Sequence, residues 1–156
     1  MNDERWKLTF SVQYAERAAL LQRRAYKRLE GLLRFVAFMA GTGAFAAIMQ
    51  SHAIATAILG IIFAGAQGID LVMRPGDLAS EANEACKLWR EVSASARKLS
   101  DAELSAALDA ARKRDGVDYW EWIRPIAYNT VARELGAAES GMIKLEAMSR
   151  SLGWLC

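Results

Sequence analysis

The stretch that decides the fold is FVAFMAGTGAFAAIMQSHAIATAILGIIFAGAQGI, from Phe35 to Ile69, which contains no Asp, Glu, Lys or Arg. Both flanks of this stretch are rich in charged residues. It divides at Gln50-Ser51-His52 into segments 32–50 and 53–73, each close to the about 20 residues with which an α-helix crosses a bilayer. One helix through both segments would be far longer than a bilayer is thick. The sequence therefore predicts a two-span transmembrane helical hairpin with a short turn.

Basic residues set the predicted orientation of this hairpin. They lie before the first span and after the second, whereas the turn carries only His52. The positive-inside rule then places both termini in the cytoplasm, and in a bacterium the protein lies in the inner membrane. The residues expected to meet anionic lipid headgroups are Arg23, Arg24, Lys27, Arg28, Arg34 and Arg74.

Composition narrows the class of protein further. The chain has 156 residues and a net charge of +2, which excludes a strongly basic nucleic-acid module, so we expect no direct nucleic-acid partner. The polar first 34 residues argue against a secretory signal. The two cysteines, Cys86 and Cys156, are far apart and indicate a reducing compartment without a disulfide framework.

The flanks predict further helices, so the fold class is all-α. Residues 1–31 form a cytoplasmic lead helix that continues into the first span, residues 32–73 form the hairpin, and residues 74–156 form a cytoplasmic helical tail. In the tail, Asp77 or Ser80 is expected to cap the first helix. A capping box, Ser100-Asp101-Ala102-Glu103, opens a helix that continues through Lys113, and residues 117–129 are expected to be helical on both sides of Pro125.

Small residues recur four apart within the spans. This spacing lets helix backbones approach closely in lipid, where packing drives association. The contact would join the two helices of one hairpin, neighbouring chains of a homo-oligomer, or both. The candidates for helix packing are Gly43, Ala47, Gly60, Ala64 and Gly68.

Two polar residues near the cytoplasmic end of the second span, Gln67 and Asp70, share one helix face. An ionisable group at that depth is costly and usually faces a partner or water. The sequence leaves two interpretations open. Asp70 forms an interfacial ion pair with Arg74 four residues later, or Gln67 and Asp70 line the mouth of an oligomeric pore.

Catalytic and metal-binding patterns are missing from the sequence. The single histidine is His52, neither cysteine has a neighbouring histidine, and no glycine-rich phosphate loop is present. We therefore expect no catalytic residue, no metal, no cofactor and no enzyme activity. In the tail, the residues expected to make contacts are Trp120, Trp122, Tyr128 and Asn129. They would belong to the core, to an aromatic belt at the membrane interface or to a surface that binds a partner.

The arrangement resembles the SLATT family, the SMODS and SLOG-associating two-transmembrane effector domains. The resemblance rests on the lead-helix segment 23–28 (RRAYKR) and the tail segment 119–129 (YWEWIRPIAYN) with Arg133-Glu134, and it covers about residues 5 to 136. Tyr128 stands where the family often has a histidine.

The resemblance implies a prokaryotic anti-phage effector of the abortive-infection type. Such a protein oligomerises and permeabilises the inner membrane when a linked sensor protein or a nucleotide second messenger signals infection. Two alternatives remain. The hairpin could be a mere anchor for a scaffold whose tail recruits a cytoplasmic partner, or the chain could be a soluble helical bundle with a buried apolar hairpin. The soluble bundle would need a shell of several amphipathic helices, and the rest of the chain supplies about three.

Overall fold

A computed structural model describes residues 3–40, 42, 53–137 and 141–155. These residues form an all-helical chain, as predicted, with six α-helices and one short 3-10 helix. The elements in chain order are α1 (Asp3–Ala40), α2 (Ala53–Met73), α3 (Pro75–Ser95), α4 (Asp101–Arg114), α5 (Ile123–Glu134), α6 (Ala147–Leu152) and the 3-10 helix Gly153–Leu155.

The lead helix continues without a break into the first predicted span, since α1 extends to Ala40. The rest of that span and the predicted turn at residues 50–52 lie outside the described residues. Helix α2 coincides with the second predicted span. Among the described residues, one helix is long and apolar enough to cross a membrane, and its apolar part is Thr56–Met73.

Helix α3 begins earlier than predicted. Its first residue is Pro75, which is favoured there because the first N–H groups of a helix need no intrahelical partner. The carbonyl of Arg74 accepts hydrogen bonds from the N–H groups of Asp77 (2.9 Å) and Leu78 (3.2 Å). The prediction of a cap at Asp77 or Ser80 is therefore wrong, and Asp77 lies within the first helical turn.

The capping box that opens α4 is confirmed. The Glu103 N–H donates to Ser100 Oγ at 3.4 Å, and the Ser100 N–H donates to Glu103 Oε2 at 2.8 Å. The Ser100 hydroxyl, which also donates to Glu103 Oε2 at 2.7 Å, and the Ser100 N–H lower the pKa of the Glu103 carboxyl below its ordinary value. Basic residues in the last turn, at the negative end of the helix dipole, complete a helix whose termini match the sequence pattern.

The aromatic segment after α4 differs from the prediction. Residues 115–120 are not helical, and α5 begins only at Ile123. The Asp115 side chain accepts the Val117 N–H at 3.2 Å, which offers the chain a turn in place of another helical bond. Pro125 then falls in the first turn of α5, where its missing N–H breaks no hydrogen bond.

The chain divides into two compact units, each with its own contacts. Unit 1 comprises Met1–Ala25 and Ala79–Cys156, and unit 2 comprises Tyr26–Leu78. The core of unit 1 has two clusters. The first contains Val12, Ala19, Ala85, Cys86, Trp89, Ala96, Leu104, Leu108 and Ala111, and the second contains Ala18, Leu21, Ala25, Trp122, Ile123 and Ala127.

Candidate membrane-facing site

Unit 2 exposes apolar side chains that a water-soluble domain would bury. Ala66 is the one buried residue among the described side chains of α2. Ile54 and Val72, near the two ends of the helix, are 79% and 81% exposed. Contiguous exposed apolar surface marks a contact with lipid or with another protein. The other large exposed side chains of α2 are Ile58, Ile61, Ile62, Ile69, Leu71 and Met73.

The last turns of α1 also expose apolar side chains. Phe35 and Phe38 are 60% and 69% exposed. Two turns earlier on the same helix, Arg24, Lys27 and Arg28 are also exposed. At 1.5 Å per residue, Arg28 and Phe35 are about 10 Å apart along the axis. The helix thus passes from a cationic band to an apolar band over roughly the depth of a lipid headgroup layer.

The predicted headgroup residues occupy different environments. Arg34 is exposed and pairs with Glu30 one turn before it. Arg74 is exposed between α2 and α3. Arg23 differs, because it is half-buried and its Nε has no hydrogen-bond partner among the described residues.

Arg74 has a left-handed backbone conformation, with φ at 44°. Its N–H still donates to the Asp70 carbonyl at 3.1 Å, but the residue itself lies outside the helix. The expected ion pair between Asp70 and Arg74 is not among the ion pairs of the described residues. The physical reason is that the side chain of a residue at positive φ no longer follows the i,i+4 spacing of a helix.

Gln67 and Asp70 are both exposed on α2. They lie three residues apart, within one helical turn, and so present two polar groups on one side of an otherwise apolar helix. A pore mouth needs several copies of this pair, and its existence stays a prediction.

The small residues of α2 are open. A Cβ added at Gly60 or Gly68 would meet nothing within 4 Å, and Ala64 between them is exposed. The other two packing candidates, Gly43 and Ala47, lie outside the described residues. The small-residue face of α2 is therefore available for a partner beyond the described part of the chain.

The buried stripe of α2 is a different one. It runs along Thr56, Leu59, Phe63 and Ala66, of which Ala66 is buried and the others are half-buried. This stripe was not predicted from the sequence, because the predicted packing face was the one that carries the small residues. Its steps of three, four and three residues are the signal that would have identified it.

Three of the predicted tail-contact residues make contacts inside unit 1. Trp122 is buried in the second core cluster. The backbone N–H of Trp120 donates to the Oε1 of the buried Gln22 at 3.2 Å. The Tyr128 ring meets the edge of Phe10, with ring centroids 5.1 Å apart.

The fourth, Asn129, holds the C-terminal segment. Its Nδ2 donates to the Ile143 carbonyl at 2.7 Å, and its Oδ1 accepts the Ile143 N–H at 2.8 Å. The aromatic and amide residues of the tail thus have structural partners within the chain.

The sequence analysis also missed a polar hub around Asp115. Its Oδ2 accepts hydrogen bonds from Trp89 Nε1 at 2.6 Å and from the Tyr119 hydroxyl at 2.7 Å. Burial raises the pKa of Tyr119 well above its ordinary value, and the Asp115 carboxylate raises it further. The hub ties α3 to the segment after α4, and no short motif in the sequence would have indicated it.

Comparisons with known proteins add no family. No protein-family model matches the chain, and no curated protein or solved structure is significantly similar to it. In the described part of the chain, no three His, Cys, Asp or Glu side chains are grouped closely enough to hold a metal ion.

Proposed function

We propose that this chain is a homo-oligomeric effector of the bacterial inner membrane that permeabilises the bilayer in an anti-phage, abortive-infection response. In this proposal the segments 32–50 and 53–73 span the membrane as a hairpin, and both termini are cytoplasmic. A linked sensor protein or a nucleotide second messenger supplies the trigger. The resemblance to the SLATT family motivates the effector role.

The observation that carries the membrane assignment is the exposure of α2. A helix of 21 residues whose large apolar side chains point outward matches the about 20 residues needed to span a hydrocarbon core. Each fully exposed Ile or Leu side chain would gain about 1.5–3 kcal/mol on transfer out of water. Six Ile and Leu side chains of α2, with Val72 and Met73, are 36–81% exposed, so each gains part of this free energy and together they favour insertion into lipid.

The charged residues support the cytoplasmic location of both termini. Exposed Arg24, Lys27 and Arg28 precede the apolar part of α1, and exposed Arg74 follows the apolar part of α2. Each basic residue near an anionic membrane surface contributes about 1 kcal/mol of attraction. The cationic side chains thus lie where the cytoplasmic headgroups would be.

The polar pair on α2 supports assembly. An Asp at the centre of a lone span costs about 2.5–3.5 kcal/mol, and a position near the helix end lowers this cost. Contact with a second copy or with pore water would remove what remains for Asp70. The open face at Gly60 and Gly68 offers a surface along which copies can pack.

The experiment is controlled expression in a bacterial cell, followed with a membrane-potential dye and an impermeant DNA dye. We expect depolarisation, reduced in Asp70→Asn and in Gln67→Leu at equal amounts of protein in the membrane. Asp77→Asn is the matched control, because this carboxylate lies just beyond the span in α3. If both span variants leak like Asp77→Asn, this face is not the conduction path.

Two further measurements separate the alternatives. Extraction of the chain from cells without detergent would establish the soluble bundle and overturn the membrane proposal. Replacement of residues 32–73 by an unrelated two-span hairpin would preserve the function of a scaffold but abolish that of a pore. If membranes remain intact at high expression, the product of the neighbouring gene is added. If the membrane still does not depolarise after this addition, the permeabilising role is overturned.

A further inference from the structure

Unit 1 contains a cleft that the proposed function does not use. It has a volume of about 310 Å³ and lies between α1, the start of α5 and the C-terminal segment 143–149. Its walls include Tyr14 of α1, Arg124 and Tyr128 of α5 and Ser149 of α6. The charged residues Glu121, Lys144 and Glu146 also line it, so its two basic side chains lie among two carboxylates. Elements far apart in the sequence thus bring polar side chains to one place.

Three hydroxyl groups in this cleft lack hydrogen-bond partners. No hydrogen bond among the described residues involves the side chain of Tyr14, Tyr128 or Ser149. Ser149 is 3% exposed as a whole residue, but its hydroxyl is not among the buried polar atoms without a partner, which in the described part of the chain are Gln22 Nε2 and Arg23 Nε. Burial also raises the pKa of Tyr14, which keeps this phenol protonated and able to donate. These hydroxyl groups line the cleft without a partner among the described residues, so each can donate a hydrogen bond to a bound molecule.

Arg124 supplies positive charge at the same cleft. Its guanidinium pairs with Glu121 at 3.0 Å, and the Arg124 side chain is 48% exposed. Such an exposed pair contributes only about 0–1 kcal/mol, so Arg124 can exchange Glu121 for another anion at little cost. The guanidinium can bind two oxygens of a phosphate or carboxylate at once.

An aromatic cavity adjoins the cleft and shares Tyr14 and Arg124 with it. This cavity has a volume of about 390 Å³, and its walls include the rings of Phe10, Trp89 and Tyr119. The Asp115 carboxylate also lies there, but its oxygens already accept hydrogen bonds from Trp89, Tyr119 and Val117. The cavity therefore presents mainly aromatic surface, on which a planar ring can stack.

We propose that the cleft and the aromatic cavity together bind a small anion that carries a planar ring. The phosphate or carboxylate oxygens accept hydrogen bonds from Ser149, Tyr128 and Arg124, and the ring lies against Phe10 in the aromatic cavity. The combined volume is within the range of small-molecule sites. The site lies entirely in unit 1, and its ligand binding does not depend on the proposed membrane function.

The test uses the purified full chain in an uncharged detergent and three probes. They are 1-naphthyl phosphate, which has both features, 1-naphthol, which has only the ring, and inorganic phosphate, which has only the anion. Calorimetric titration, with empty micelles as the blank, measures each dissociation constant. We expect 1-naphthyl phosphate to bind at least about tenfold more tightly than either partial probe, a difference of about 1.4 kcal/mol.

Variants then assign the contacts. Arg124→Gln should weaken binding of 1-naphthyl phosphate about tenfold or more, and Ser149→Ala and Tyr128→Phe should each weaken it a few-fold. Arg133→Gln is the matched control, because this arginine is exposed on the same helix outside the cleft. Circular dichroism checks that every variant remains helical. Equal binding by Arg124→Gln and Arg133→Gln, or no preference for 1-naphthyl phosphate over 1-naphthol, would overturn the proposal.

Discussion

Asn129 binds the backbone of Ile143 with both ends of its side-chain amide, donating to the carbonyl at 2.7 Å and accepting from the N–H at 2.8 Å. The amide thus satisfies both backbone polar groups of Ile143, as a paired strand would. The six-residue helix α6 that follows has no side-chain cap and is too short to be stable alone. Asn129 is therefore a main attachment of the C-terminal segment to α5.

Replacement of Asn129 by Asp should loosen this segment. The carboxylate can still accept the Ile143 N–H, but it loses the donor and places negative charge beside the Ile143 carbonyl. The expected cost is about 1–3 kcal/mol, confined to the C-terminal segment. Hydrogen exchange of residues 143–155 measures it. Asn83→Asp on α3 serves as the control, and equal exchange in the two variants would show that the clamp contributes nothing.

Asp115→Asn should destabilise unit 1. Trp89 and Tyr119 both donate to Oδ2, and the Val117 N–H donates to Oδ1. An amide presents one donor in place of an acceptor, so either orientation loses at least one hydrogen bond at a cost of about 1–3 kcal/mol. Thermal unfolding in detergent provides the measurement. Asp109→Asn removes an exposed carboxylate from the preceding helix α4 and should change the midpoint far less.

The pH dependence of stability should reveal Tyr119. Burial and then the Asp115 carboxylate raise its pKa in the folded chain, whereas the unfolded chain titrates near the ordinary value of 10.0. The folded chain therefore holds the proton more tightly, and this contribution is complete below pH about 10 and decreases as the pH rises above it. The half-buried Tyr14 acts in the same direction, because burial raises its pKa as well.

The stability of Tyr119→Phe should fall less steeply with rising pH than that of the wild type. The smaller slope that remains comes from Tyr14. Unfolding midpoints between pH about 8 and about 11 make the comparison. Parallel curves for the two proteins would contradict a raised pKa at Tyr119. A lower midpoint of Tyr119→Phe at neutral pH is expected as well, because Asp115 loses one hydrogen bond.

The features that could be predicted from sequence are those set by local chemistry. The bounds of α2 follow from an apolar run between Gln50 and Arg74 whose one charged residue is Asp70. The capping box at Ser100 satisfies its own backbone groups without help from elsewhere. The helical interpretation of residues 117–122 was wrong because the Asp115 side chain competes for the backbone. No local pattern indicates that competition.

Contacts between distant segments were beyond the sequence. The pairing of Trp120 with Gln22 and the clamp of Asn129 on Ile143 depend on where helices lie in space. The same holds for the cleft at Ser149, whose walls come from three helices. The aromatic residues of the tail were predicted to serve as core, interface belt or partner surface, and periodicity alone could not say which contacts they make.

Arg74→Gly should relieve backbone strain between α2 and α3. A residue other than glycine in the left-handed region costs about 1–2 kcal/mol, and Arg74 has φ at 44°. Glycine should therefore raise the thermal midpoint, whereas Arg74→Ala, which removes the side chain but keeps the strain, should not. In the proposed membrane orientation Arg74 lies at the anionic headgroups. Both variants should therefore also bind vesicles with anionic lipid less tightly than the wild type. Identical midpoints for the glycine and alanine variants would contradict the strain.

The last prediction concerns the small-residue face of α2. Gly60 and Gly68 are eight residues apart on one side of the helix, and a Cβ at either position meets nothing in the described part of the chain. If copies of the chain pack along this face, the backbones approach closely there, and a large side chain would hold them apart. Gly60→Leu should then weaken self-association about tenfold or more, which corresponds to about 1.4 kcal/mol.

Gly65→Leu is the matched control for the side of the helix that carries Gly60 and Ala64, because Gly65 is equally open but lies about 140° from Gly60 and about 100° from Ala64 around the helix. Both substitutions add the same apolar volume to the same helix, so their effects on insertion should be equal. Sedimentation in detergent or energy transfer between labelled chains in vesicles measures the association. A weaker oligomer in Gly60→Leu alone assigns the contact between chains to the side of the helix that carries Gly60 and Ala64, whereas equal association in both variants places that contact elsewhere, because Gly65 lies about 100° from Ala64 around the helix.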